Sequence, residues 1–179
     1  MRMILKNIPN ILTLLRVAAV PVFIVSMLKN EHFLAIAVFL LAEITDVLDG
    51  VIARRFNLIT PFGKIADPVA DKLMQLSALF VFSIKDMIPK IIPWLVFGKE
   101  LFLLISGLYL MRKKIDLSSK WFGKLTSVIL FIAIMLVFLG VPRNITDPIF
   151  WLCVAMALFA ALMYIRNYFK QIKPKTKNA

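Results

Sequence analysis

Residues 46–71, DVLDGVIARRFNLITPFGKIADPVAD, set four aspartates into an otherwise apolar sequence. Asp46 and Asp49 stand three apart and Asp67 and Asp71 four apart, so if both halves are helical each pair projects from one face of its helix. Two such helices facing each other bring the four carboxylates together. Like charges at that range repel and resist desolvation, and the arrangement is tolerable only where cations neutralise it. Oxygen-only ligands in this number suit hard ions such as magnesium, manganese or calcium. Gly50 and Ala53 leave a small-residue surface that backbone or ligand can approach closely. Arg54 follows directly, with a guanidinium suited to phosphate. Asn57, Thr60, Pro61 and Gly63 mark the break between the two helices.

The surroundings of this stretch are those of a membrane protein. The 179 residues are 61% hydrophobic with a mean hydropathy of +0.87, and no soluble fold hides apolar runs of such length. The formal charge of +12 taken alone suggests nucleic acid. Here the basic residues flank apolar runs, as membrane orientation and anionic headgroups require, so no nucleic-acid partner is expected. Cys153 is the single cysteine; it allows no intrachain disulfide and reads as a packed thiol. The first apolar segment is too long for a signal-peptide core and is read as a retained span.

Hydropathy and turn residues divide the chain into six spans of an all-α, polytopic membrane protein. Span 1 covers Ile8–Leu28, where Asn10, Thr13 and Arg16 draw a polar stripe along one side. Arg16 faces protein, water or phosphate, or else snorkels to the headgroups. Pro21 is expected to bend this helix. Span 2 runs from Phe33 into the aspartate stretch, with the lone histidine, His32, beside a loop. Glu43 lies three residues before Asp46 on the same helical side, either supporting the acidic site or standing as an interfacial glutamate. Span 3 covers Ile65–Ile84, with Asp67, Asp71, Lys72 and Gln75 gathered at its beginning. Span 4 covers Ile88–Met111 and carries Lys99 and Glu100 deep in an apolar run, where charges face a cavity or a partner. Arg112–Lys124 is a basic loop or interfacial helix with Trp121 and Phe122 in the headgroup belt. Span 5 covers Leu125–Gly140 and span 6 Ile149–Phe169, and residues 170–179 form a polar tail expected to be disordered. No repeat or second domain is visible, so residues 1–179 are read as one membrane domain.

Six spans place both termini on one side. Of the 22 lysines and arginines, fifteen fall in the termini and the loops between spans 2 and 3 and spans 4 and 5, against four in the opposite loops. The positive-inside bias then puts the termini and the aspartates at the cytoplasmic face of the cell membrane.

These residues carry a resemblance. Asp46-x2-Asp49-Gly50-x2-Ala53-Arg54-x8-Gly63-x3-Asp67-x3-Asp71 matches, at all eight fixed positions, the signature of the CDP-alcohol phosphotransferase family. The opening NIPNILTLLR and the DPVADK around Asp67 are similar to the bacterial phosphatidylglycerophosphate synthases. The resemblance implies a homodimer of six-helix subunits with a two-metal site, the ions being Mg2+ or Mn2+. It implies that Asp46, Asp49 and Asp67 hold one ion, that Asp46, Asp67 and Asp71 hold the other, and that Asp71 is the general base. By the same carry-over Asn10, Thr13, Gly50, Ala53, Arg54, Thr60 and Gly63 line the site for CDP-diacylglycerol. The implied reaction moves a phosphatidyl group from CDP-diacylglycerol to an alcohol and releases CMP. Two metals about 4 Å apart would stabilise charge on the phosphate oxygens there.

Glycerol-3-phosphate is the acceptor that the resemblance implies first. The phosphatidylglycerophosphate synthases usually have Ala-Arg-Glu in span 4 with another arginine two turns later, whereas this chain has Gly98-Lys99-Glu100 and no arginine at the later place. Lys124, in an FGKLT similar to their Gly-Lys-x-Lys-Thr, joins Lys99 as the expected acceptor-binding pair. Adjacent helical residues point about 100° apart, which argues against Glu100 as the sole partner of Lys99. A cardiolipin synthase of the same family, using phosphatidylglycerol, is the nearest alternative; inositol-phosphate or serine transfer fits less well. Outside the family, intramembrane charges also mark transporters and channels. Aspartates at one membrane edge, with glycine, alanine and arginine at fixed spacing, suit phosphate chemistry better than a pathway across the bilayer.

Overall fold

The computed structural model describes residues 2–55, 63–112 and 120–172, with side chains described over 11–48, 51, 69–105, 125–163 and 166. It is all-helical over these residues, with helices α1 (Arg2–Leu28), α2 (His32–Arg55), α3 (Gly63–Ile84), α4 (Ile92–Arg112), α5 (Lys120–Phe138) and α6 (Arg143–Ile172). They form two compact units, Met1–Lys85 and Asp86–Ala179.

In the first unit α1 packs on both α2 and α3, and α2 packs on α3. The face of α1 that turns inward carries Thr13, Arg16, Phe23, Ser26 and Met27, all buried, at helical spacing. Phe23 meets Phe39 of α2 with ring centroids 5.9 Å apart and a tilt of 49°, within the range of favourable aromatic contacts. Ala35 and Ala42 on α2 and Ala70 and Ala78 on α3 are buried, and their small side chains let the helices approach. Outward faces are apolar instead of polar: Ile11, Leu14, Leu15, Val22 and Val25 of α1, Phe33, Leu41 and Val47 of α2 and Leu73 and Ile84 of α3 are exposed. This inversion suits a lipid surrounding better than water.

The turns follow from local chemistry. Past α1, Asn30 takes a left-handed φ of 62°, the amide of Glu31 reaches the Ser26 carbonyl at 2.9 Å and that of Asn30 the Met27 carbonyl at 3.2 Å. This is a helix stop that caps the last carbonyls, with asparagine where glycine is more usual. The Lys85 ammonium locks the turn to the end of α3, donating to the Met27 carbonyl at 2.8 Å and to the Asn30 side chain. Gly140 closes α5 in the same way at φ 70°.

In the second unit α6 packs on α4 and α5, around Ile92, Val96, Leu130, Ile134, Phe150 and Val154. Among the described residues two helical stretches are long and apolar enough to cross a membrane, Ile11–Leu28 and Arg143–Met163, and Leu125–Phe138 is a shorter apolar helix.

Several expected limits move. Helix α1 begins at Arg2 and α6 at Arg143, well before Ile8 and Ile149, because helical hydrogen bonding continues into the polar flanks that hydropathy leaves out. Pro21 lies inside α1 without ending it. Helix α4 starts at Ile92 rather than Ile88; Asp86 sits at φ 54° and the Pro89 carbonyl accepts from Ile92, so this stretch turns before it coils. Helix α6 reaches Ile172, into the stretch read as a tail, while 173–179 and most of the 112–124 segment, 113–119, lie outside the described residues.

Candidate active site

The eight fixed motif positions divide between two helices that pack together, 46, 49, 50, 53 and 54 on α2 and 63, 67 and 71 on α3. The expected turn residues Asn57, Thr60 and Pro61 lie outside the described residues. So do the side chains of Asn10, Asp49, Ala53, Arg54, Asp67 and Lys124 and the surroundings of Gly50 and Gly63. Thr13, Asp46, Asp71 and Lys99 are described, and their neighbours define the half of the site that follows.

Arg16 settles its alternatives by facing protein. Its side chain is 1% exposed, and Nη1 donates to Asp46 Oδ1 at 2.5 Å, joining α1 to α2. Thr13 lies buried one turn earlier on the same face as Arg16. A guanidinium at this depth requires a counter-charge, and Asp46 supplies one.

On α3, Gln75 Nε2 donates to Asp71 Oδ1 at 3.2 Å, Lys72 Nζ stands 3.3 Å from Asp71 Oδ2, and Lys72 Nζ also donates to Gln75 Oε1 at 3.2 Å. Glu43 of α2 lies in the electrostatic surroundings of Asp71, Asp46 and Lys72 and interacts with the Gln75 amide. Of its two sequence readings, support of the acidic site therefore holds. Among the described residues, Arg16 and Lys72 stand with Glu43, Asp46 and Asp71 in this part of the site.

Asp46 and Asp71 keep 34% and 19% of their side chains exposed and offer carboxylate oxygen only. That donor chemistry fits a hard divalent ion. Among the described residues no group of three or more histidines, cysteines, aspartates or glutamates comes close enough to hold one. Asp49 and Asp67, the other two expected ligands, are outside that comparison.

In the second unit Lys99 Nζ meets Glu100 Oε1 at 2.5 Å, with side-chain exposures of 11% and 16%. Glu100 is thus one partner of Lys99, although neighbouring positions on a helix point apart. The two side chains leave the helix in different directions but are long enough to bend together, and burial makes the ion pair worth that bending.

Gln75 and Lys72 had a place but no role in the sequence reading. The signal for them was present: Gln75 follows Asp71 by four residues, the spacing at which helical side chains meet.

The model of the CDP-alcohol phosphatidyltransferase family matches residues 6–163. The CDP-diacylglycerol–glycerol-3-phosphate 3-phosphatidyltransferase of Rickettsia felis is 32% identical over 180 residues, covering 94% of this chain and 96% of its own. The protein of the same description from Aquifex aeolicus is 32% identical over 143 residues, 79% of each chain. A probable phosphatidylglycerophosphate synthase of Mycobacterium tuberculosis is 35% identical over 136 residues, 73% of this chain and 65% of that one.

Proposed function

The chain belongs to the CDP-alcohol phosphatidyltransferase family, and from that premise we infer that it is a transferase of phospholipid biosynthesis acting on CDP-diacylglycerol and glycerol-3-phosphate. Its products are phosphatidylglycerophosphate and CMP. The observation that carries this reading is the packing of α2 on α3, which sets the helices of Asp46 and Asp71, the first and last aspartates of the motif, side by side. Relatives described by this activity match nearly the whole chain.

In the reaction, the acceptor hydroxyl oxygen bonds to the phosphorus that carries diacylglycerol. The bond from that phosphorus to the CMP oxygen breaks, and CMP leaves with the electron pair. Asp71 takes the hydroxyl proton. Asp46, Asp49, Asp67 and Asp71 are the residues that would hold two divalent cations, Mg2+ or Mn2+. Such ions, when bound, neutralise charge on the phosphate oxygens and acidify the hydroxyl. Arg16 holds Asp46 from behind, so the acidic face stays assembled. Asn10, Thr13, Gly50, Ala53, Arg54, Thr60 and Gly63 bind the CDP-lipid, and Lys99 and Lys124 receive the phosphate of the acceptor. No covalent intermediate on the protein is required.

The same reading makes all six helices membrane spans of a homodimer, with termini and site at the cytoplasmic face. Exposed apolar side chains on the helices and the fifteen-to-four distribution of basic residues support it. The diacylglycerol tails then stay in lipid while the headgroup meets the polar face. The test is CMP release by the purified protein from CDP-diacylglycerol. Release that requires glycerol-3-phosphate is expected, and equal release with and without an acceptor would make the protein a hydrolase instead.

A further inference from the structure

Gln75 is 4% exposed, just past the middle of α3. A primary amide buried in an apolar helix is costly unless its donors and acceptor are used. Here charged partners use them: the amide donates to Asp71 Oδ1 at 3.2 Å and accepts from Lys72 Nζ at 3.2 Å. One orientation alone serves these partners, because rotating the amide by half a turn sets its oxygen against carboxylate and its NH2 against ammonium. Lys72 completes the ring on Asp71 Oδ2. Each oxygen of Asp71 therefore has its own donor, and the rotation of the carboxylate is fixed.

We propose that Gln75 is a positioning residue for Asp71: it fixes which carboxylate oxygen faces the reacting hydroxyl. A group that must take a proton and hold a cation gains from a fixed direction, since small misplacements are costly in rate. The inference rests on Asp71 being the proton acceptor and a metal ligand, as read above.

Two variants test it in the purified full-length protein. Gln75→Met keeps the volume and removes donor and acceptor, whereas Gln75→Glu keeps an acceptor for Lys72 and loses the donor to Asp71. Both should lower kcat about tenfold or more while KM for CDP-diacylglycerol stays within about twofold. Mn2+ affinity, read by electron paramagnetic resonance without substrates, should fall several-fold in Gln75→Met with the helical fold retained. Wild type and Asp71→Asn run alongside. A wild type that releases no CMP, or an Asp71→Asn variant with near-normal kcat, overturns the reading of the site itself. If wild type turns over and Asp71→Asn does not, wild-type kcat and Mn2+ affinity in both Gln75 variants overturn the positioning role alone. Losses of activity that only follow the loss of folded protein in both variants overturn it too.

Discussion

Asp46→Asn removes a charge but keeps the shape, and on that ground alone the variant should stay as stable as wild type. The ion pair with Arg16 argues otherwise. Removing one partner of a buried pair costs about 3–5 kcal/mol, because the charge left behind stays desolvated. Arg16 is that charge, with a side chain 1% exposed, while Asp46 keeps 34% of its surface open. Water at the part-exposed Asp46 screens the pair. The loss should then be about 1.5–3 kcal/mol. Arg16→Met should cost a similar amount, and the double variant less than the two together. The assay is unfolding of the detergent-solubilised protein by dodecyl sulfate, followed by circular dichroism, over the full double-mutant cycle. A coupling of about 1 kcal/mol or more is expected. Additivity to within about 0.5 kcal/mol would refute the buried pair as a structural link between α1 and α2.

Turnover should vanish on exhaustive chelation and return with Mg2+ or Mn2+; full activity in the chelated protein would remove the cations from the account. Asp49→Asn, Asp67→Asn and Asp71→Asn should each abolish CMP release with the helical signal retained, and near-normal activity in any two would mean that the site is misassigned. Lys99→Met and Lys124→Met should raise KM for glycerol-3-phosphate far more than KM for CDP-diacylglycerol, by about tenfold for the loss of a charge-assisted contact. Because Glu100 pairs with Lys99, Glu100→Gln is the control: a purely structural pair predicts equal stability losses from either side and no change in KM.

The helices were legible in the sequence because apolar runs and their punctuation are local. Asn30, Asp86 and Gly140 stand at turns where the backbone takes positive φ, and those residue types advertise such positions. The limits were less legible. Hydropathy sees where lipid begins, not where backbone hydrogen bonding stops, so the starts of α1 and α6 were placed too late. The division of the motif between two helices was readable from its spacing, with Asp46 on α2 and Asp71 on α3. Their partners were harder. Arg16 meets Asp46 across thirty positions of sequence, a contact that only packing decides. Lys99 and Glu100 pair because their side chains are long enough to meet, which Cβ direction alone does not show. Gln75 reads as one more polar residue at a helix start until Glu43 is brought opposite it.

Purified protein should be given CDP-diacylglycerol with Mg2+ and, in parallel, glycerol-3-phosphate, phosphatidylglycerol, inositol phosphate and serine, with the lipid products identified by mass spectrometry. Phosphatidylglycerophosphate, formed with glycerol-3-phosphate and in step with CMP, is the result predicted. Cardiolipin from phosphatidylglycerol, with glycerol-3-phosphate left unconsumed, would contradict it.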